Sequence, residues 1–179
     1  VGGSYRPMFN VSFAIDYAIW GLQPIGYHLS NLFFHLANII LVWAVVRRFF
    51  SRDSKKEWLA ATAALVFAVM PHHSEAVIWL SARGDVLVTF FFLLTLLLYD
   101  YGRHKRWLFV LSLVTFTIAL LTKEMAVTLP LVIVIWEAAR HRRFAWRSLY
   151  YAAMTGLFFV ARYLAIGLAA GYYADSSLL

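Results

Sequence analysis

Four polar side chains stand in an otherwise apolar stretch: His28, Asn31, His35 and Asn38, at steps of 3, 4 and 3. At about 100° per residue they fall within roughly 80° of one another on a single helical stripe. Two imidazoles and two carboxamides facing acyl chains would leave donors and acceptors unpaired, so the stripe must face protein or a wet cavity. Either these residues bond neighbouring helices as interhelical glue, or as a set they wall a site.

Further along, His73-Ser74-Glu75 and Arg83-Gly84-Asp85 lie within thirteen residues. Arg83 offers a bidentate fork to a phosphate, with His73 and Glu75 polarising or orienting. The plainer alternative pairs Arg83 with Asp85 and uses Asp85 to cap the next helix. A divalent metal at His72, His73 and Glu75 has suitable ligand types, but nothing around them orients the ligands, so no metal or other cofactor is assigned. Lys123-Glu124 is either an ordinary interfacial ion pair with a snorkelling lysine or a point charge for a lipid-borne phosphate. Arg6 touches headgroups or joins the same site. Asp16 is the one candidate for a general base, against the plainer reading of a solvated polar face.

The elements that position these residues read as membrane helices. The chain has 179 residues, 63% of them hydrophobic and 14% charged, and apolar stretches recur throughout. That excludes an ordinary soluble domain and predicts an all-α, polytopic transmembrane helix bundle. The net charge of +7 does not imply a nucleic-acid partner, because the bases sit in short loops between spans. The absence of cysteine removes disulfide frameworks and thiolate metal sites.

Residues 1–23 read as the end of an outer loop with a short interfacial helix. Pro7 suits its first turn, and Gly21 with Pro24 ends it. About fourteen residues reach only some 21 Å, too short to cross. Residues 24–166 read as about six spans: the striped one from Pro24 to Val46, then 58–70, 86–99, 107–121, 125–139 with Pro130 inside, and 148–166. An outer stretch lies between residues 71 and 85, and 167–179 form an outer tail. With the start outside, the inner loops collect twelve of the sixteen Lys and Arg, from Arg47 to Arg147. All seven Trp fall near predicted span ends, as an interfacial belt requires. Arg6, Asp16, Glu75, Arg83, Asp85, Lys123, Glu124, Arg162 and Asp175 remain on the other side, with His28, His35, His72 and His73. Ionisable groups near a bilayer are costly unless paired or wet, so their retention on one side predicts a shared polar site.

These stretches resemble a known family. Tyr5-Arg6-Pro7-Met8, Gly26-Tyr27-His28-Leu29-Ser30-Asn31 with His35 and Asn38, Pro71-x-His73-x-Glu75-Ala76-Val77-x-Trp79, Ser81-x-Arg83-x-Asp85 and Lys123-Glu124-Met125-Ala126 are similar to its signatures, in the same order. It is the family of transmembrane, tetratricopeptide-repeat-containing O-mannosyltransferases and their bacterial relatives, within the GT-C superfamily. Met70 departs from it, standing where the family often has His.

The resemblance implies a multi-pass enzyme of the bacterial inner membrane or endoplasmic reticulum. It would move a mannose-like sugar from a polyprenyl- or dolichyl-phosphate donor to an acceptor hydroxyl, often protein Ser or Thr, on the extracytoplasmic face. Its catalytic carboxylate belongs to a loop expected upstream of Tyr5, after a further span, and its repeats are expected downstream, so the chain reads as a fragment. Combined with the residue-level reading, Arg83, Lys123, His73 and Arg6 are expected to meet the donor phosphate. His28, Asn31, His35, Glu75, Asp85 and Glu124 are expected to line the pocket. The competing functions are a transporter or flippase of a lipid-linked sugar, with the stripe along its path, and a non-catalytic membrane subunit.

Overall fold

The computed structural model describes residues 6–70, 79–141 and 146–166. Among the described residues there is no strand. The helices are α1 (Pro7–Trp20), α2 (Pro24–Phe49), α3 (Lys56–Val69), α4 (Arg83–Tyr101), α5 (Arg106–Thr122), α6 (Leu129–His141) and α7 (Ser148–Ile166). Short 3₁₀ turns at Leu80–Ala82 and Glu124–Thr128 lead into α4 and α6.

The local signals at the start act as their chemistry dictates. Pro7 and Pro24 occupy the opening turns of α1 and α2, where the missing N–H would have had no partner. Gly21 ends α1 with φ of 60°, a conformation costly for a residue with a Cβ, and its N–H donates to the Tyr17 carbonyl at 2.9 Å. Arg47 and Arg48 sit in the last turn of α2, at the negative end of its dipole.

α2 (26 residues) and α4 (19 residues) are long and apolar enough to cross a membrane, and α5 is apolar but shorter. α4 begins at Arg83, three residues before the expected span, which relieves part of its shortness. The return path after α5 differs from expectation. A 3₁₀ turn covers Glu124–Thr128, and Pro130 is the second residue of α6. It therefore breaks no helix interior, and no bulge or neighbouring group has to rescue a freed carbonyl.

The core lies between α4, α5, α6 and α7. Val88, Leu96, Tyr99, Phe116, Leu120, Leu129, Ile133 and Phe158 pack there, with Tyr151 at the centre. The Tyr151 ring meets Tyr99 and Phe116 edge-on at 5.8 and 5.2 Å, an arrangement worth about 0.5–1.5 kcal/mol per pair beyond burial. Some buried hydroxyls meet each other, Thr95 with Thr115 at 2.8 Å and Ser112 with Tyr151, and others such as Thr122 and Thr155 donate to carbonyls of their own helix. Large apolar side chains such as Leu22, Ile25, Val69 and Leu164 stay exposed, the distribution expected when lipid rather than water covers the outside. Six of the seven Trp are among these exposed groups. Trp136 is not: it is buried and donates its indole N–H to Asp100 at 3.1 Å, so it belongs to the core and not to a belt.

Ion pairs gather at the two ends of the bundle. One end holds Asp16, Arg83, Asp85, Lys123, Glu124 and Arg162. The other holds Arg47, Glu57, Arg48, Asp100, Arg140, Arg103 and Glu137.

Candidate functional site

The first of these ends is built around Arg83, which opens α4 and is 2% exposed. Its Nε donates to Asn31 Oδ1 at 2.8 Å, its Nη2 to the Tyr27 carbonyl at 2.9 Å and its Nη1 to the Ser12 carbonyl at 3.4 Å. Nη2 also lies 2.5 Å from Asp16 Oδ2. The guanidinium stacks over Phe13, 4.4 Å from the ring centroid. One arginine thus fastens α1 and α2 to the start of α4. Its donors go to protein acceptors, and Nη2 lies against Asp16 where a phosphate was expected.

Asp16 corrects the plainer expectation for α1. It is that helix's buried residue, at 6% exposure, not part of a solvated face. Its Oδ2 meets Arg83 as an ion pair without hydrogen-bond geometry, and its Oδ1 accepts a hydrogen bond from the Ser30 hydroxyl at 2.9 Å. A charge taken from water needs such compensation, and removing one partner of a buried pair costs about 3–5 kcal/mol. The expected pairing of Arg83 with its neighbour Asp85 does not form either. Asp85 sits in the first turn of α4, half-exposed, and pairs with Lys123 at the end of α5. Glu124, next to Lys123, pairs across to Arg162 on α7 at 2.5 Å.

Because Asp85 is two residues from Arg83 and Glu124 adjoins Lys123, the three pairs form one line from α1 through α4 and α5 to α7. Three carboxylates offset three cations along it. Some donors are left over. Arg162 is 1% exposed, and among the described residues its Nε and Nη2 have no hydrogen-bond partner, nor does Arg6 Nε. The Lys123 side chain keeps 24% of its surface. The arrangement can therefore neutralise a departing anion beside Lys123, the most accessible cation of the line.

The stripe on α2 faces protein. Asn31 holds Arg83, and Asn38, 1% exposed, donates to the Val86 carbonyl of α4 at 2.9 Å. His35 stacks on Phe67 of α3, with centroids 5.8 Å apart. His28 is half-buried near the same end. His72, His73 and Glu75 lie outside the described residues, so their expected roles have no geometry here. Among the described residues no three His, Cys, Asp or Glu converge as metal ligands would.

Reading the sequence missed two carboxylates at the opposite end. Asp100, fully buried, is bonded by Arg48 Nε and the Trp136 indole, with Arg140 3.8 Å away. Glu137 accepts from Tyr99 Oη at 2.9 Å and pairs with Arg103. Asp100 lies in the last turn of its helix and Glu137 just before the last turn of its own, toward the end where the dipole opposes a negative charge. An acid at that position announces a nearby cation, and this signal could have found both. Arg162 was counted on the retained side but not placed in the site; a base at the far end of the last helix was its mark.

The described residues thus form an apolar helical bundle with ion pairs at both ends and two helices long and apolar enough to cross a membrane. A family model described as dolichyl-phosphate-mannose-protein mannosyltransferase matches residues 6–166. The chain belongs to that family. It is 38% identical over 130 residues to the protein O-mannosyl-transferase Tmtc1 of Drosophila melanogaster, covering 70% of this chain and 14% of that protein. To the protein O-mannosyl-transferase TMTC3 of Mus musculus it is 32% identical over 139 residues, 75% of this chain and 15% of the relative. To TMTC2 of the same organism it is 41% identical over 100 residues, 54% and 11%. The chain thus spans less than a fifth of the length of these relatives. No solved structure shows a significant match.

Proposed function

We propose that the protein containing this chain is a GT-C glycosyltransferase that moves a mannose-like sugar from a polyprenyl- or dolichyl-phosphate to a protein Ser or Thr hydroxyl. The observation that carries this reading is the family match through residues 6–166, which includes every described residue of the three-pair line. In this reading the chain is a multi-pass membrane segment of about six spans, with α1 in the interface. The end bearing Asp16 and Arg83 faces away from the cytoplasm, and the end bearing Arg48 and Arg140 faces inward.

In the transfer, the bond between the sugar's anomeric carbon and the phosphate oxygen breaks as the acceptor oxygen attacks. The phosphate leaves with its negative charge, and the acceptor proton goes to a base. Lys123 on its tight turn stabilises the departing phosphate. His73 and Arg6 are the remaining donors assigned to it, with Glu75, His28, His35 and Glu124 around the pocket. Arg83 acts one step back: by holding Asp16, Asn31 and Tyr27 it fixes α1 and α2, and through its own chain it fixes Asp85, the partner of Lys123. Asp16 is committed to that pair and to Ser30, so another carboxylate of the protein takes the proton.

The test is transfer of radiolabelled mannose from a polyprenyl-phosphate donor to a Ser- and Thr-containing acceptor, by membranes holding the full-length protein. Lys123→Ala lowers kcat/KM by about 100-fold, as loss of one charge-stabilising donor does. Asp85→Asn breaks the same ion pair but keeps the cation, and it retains most transfer. Equal losses in the two variants would make the pair structural and remove Lys123 from the chemistry. No transfer by the unmodified protein, with counterflow of the lipid-linked sugar in proteoliposomes, would establish the transporter instead.

A further inference from the structure

At the end of the bundle opposite the three-pair line, a groove of about 760 Å³ opens between the start of α5 and the start of α7. Its volume falls among those of small-molecule sites, about 300–1,000 Å³. Its walls are mostly apolar: Phe109, Val110, Leu149 and Ala153, with Tyr150 beside them. Two arginines, Arg106 and Arg147, stand at the mouth with Trp146. Arg106 is exposed and makes no ion pair with a described residue. Arg147 is held in place, donating to the Gly102 carbonyl at 3.0 Å and lying 4.9 Å over the Phe109 ring. Trp146 is 72% exposed and Tyr150 60%, the amphipathic rings that sit at a headgroup level. Among the described residues no carboxylate lines the groove, so its mouth is positive while its body is apolar.

From this charge pattern we infer that the groove is a binding site for an anionic phospholipid. One acyl chain lies along Val110, Leu149 and Ala153, and the phosphate-bearing headgroup meets Arg106 and Arg147. The acyl chain needs the dry wall, and the headgroup needs two cations at the depth where Trp146 marks the interface. The site differs in place and chemistry from the donor end, and it takes a structural or modulating lipid. It rests on the reading of the bundle as membrane-embedded but not on any sugar transfer.

The experiment uses the full-length protein in detergent, titrated with phosphatidylglycerol or phosphatidylcholine and read by native mass spectrometry. Phosphatidylglycerol is expected to bind with a clear preference over phosphatidylcholine. Arg106→Gln reduces that preference by roughly five-fold, the effect of one arginine near an anionic surface. Ala153→Trp fills the groove and removes the bound lipid without touching either cation. Both variants keep sugar transfer, which separates failure here from failure of the transferase reading. Unchanged preference in both variants overturns the proposal, as does loss of any preference because another segment of the protein fills the groove. Inorganic phosphate displacing the lipid completely would also overturn it, since the site would then be one for free phosphate.

Discussion

Replacing Arg83 by Met tests whether this arginine holds helices or handles substrate. Methionine keeps a comparable unbranched apolar stem while removing the charge and the donors to Asn31, Tyr27 and Ser12. Asp16 then remains as a buried carboxylate with the Ser30 hydroxyl as its other partner. Stranding one member of a buried pair costs about 3–5 kcal/mol. At about 1.4 kcal/mol per factor of ten, that is a shift of two to three and a half decades in the unfolding equilibrium. Adding Asp16→Asn in the same chain turns the stranded charge into a neutral amide and recovers about 1–3 kcal/mol, a coupling typical of residues in contact. The assay is unfolding of the full-length protein in detergent, by temperature or denaturant, across the four members of the cycle. Mannose transfer is measured on the same preparations. Full stability in Arg83→Met together with lost transfer would refute the reasoning, because the guanidinium would then act on the donor itself.

Three further outcomes follow from geometry at other points. Asp100→Ala leaves Arg48 and Arg140 facing each other without their shared carboxylate and is expected to destabilise by about 3–5 kcal/mol, read as a lower unfolding midpoint. Gly102→Ala places a Cβ 2.6 Å from the Phe109 backbone nitrogen, so the turn between α4 and α5 must shift. A loss of about 1–3 kcal/mol in the same melt is expected. Asn38→Leu removes the hydrogen bond to Val86 but also a buried Oδ1 with no hydrogen-bond partner, so its effect stays within about 1 kcal/mol.

What was readable from the sequence was local. Pro7, Gly21 and Pro24 mark helix ends through their own backbones, and the ends they mark are those observed. The His28–Asn38 stripe is a matter of helical spacing, and its asparagines do face protein. Partners were not readable, because they depend on which helices lie side by side. Arg83 has a carboxylate two residues away in the chain and uses one 67 residues away. Along α4 those two residues place Asp85 about 200° around the helix, so it turns toward Lys123. The same limit hid the fate of Asp16: a lone acid on a short amphipathic helix looks solvated until a second helix covers it. Asp100 and Glu137 escaped notice for a different reason. Charges near span ends were weighed for what they say about orientation, and acids carry little of that signal.

The sequence order of the ion pairs bears on how such a chain enters a membrane. At the Arg83 end each acid is synthesised before its cation: Asp16 before Arg83, Asp85 before Lys123, Glu124 before Arg162. At the other end Arg47 precedes Glu57, Arg48 precedes Asp100 and Arg103 precedes Glu137, while Arg140 alone follows its partner Asp100 among the described pairs. In the proposed orientation, Arg47, Arg48 and Arg103 leave the ribosome before the carboxylates that pair with them and act as uncancelled inner charges until those emerge. Arg83, Lys123 and Arg162 at the opposite end each emerge to find a countercharge already made.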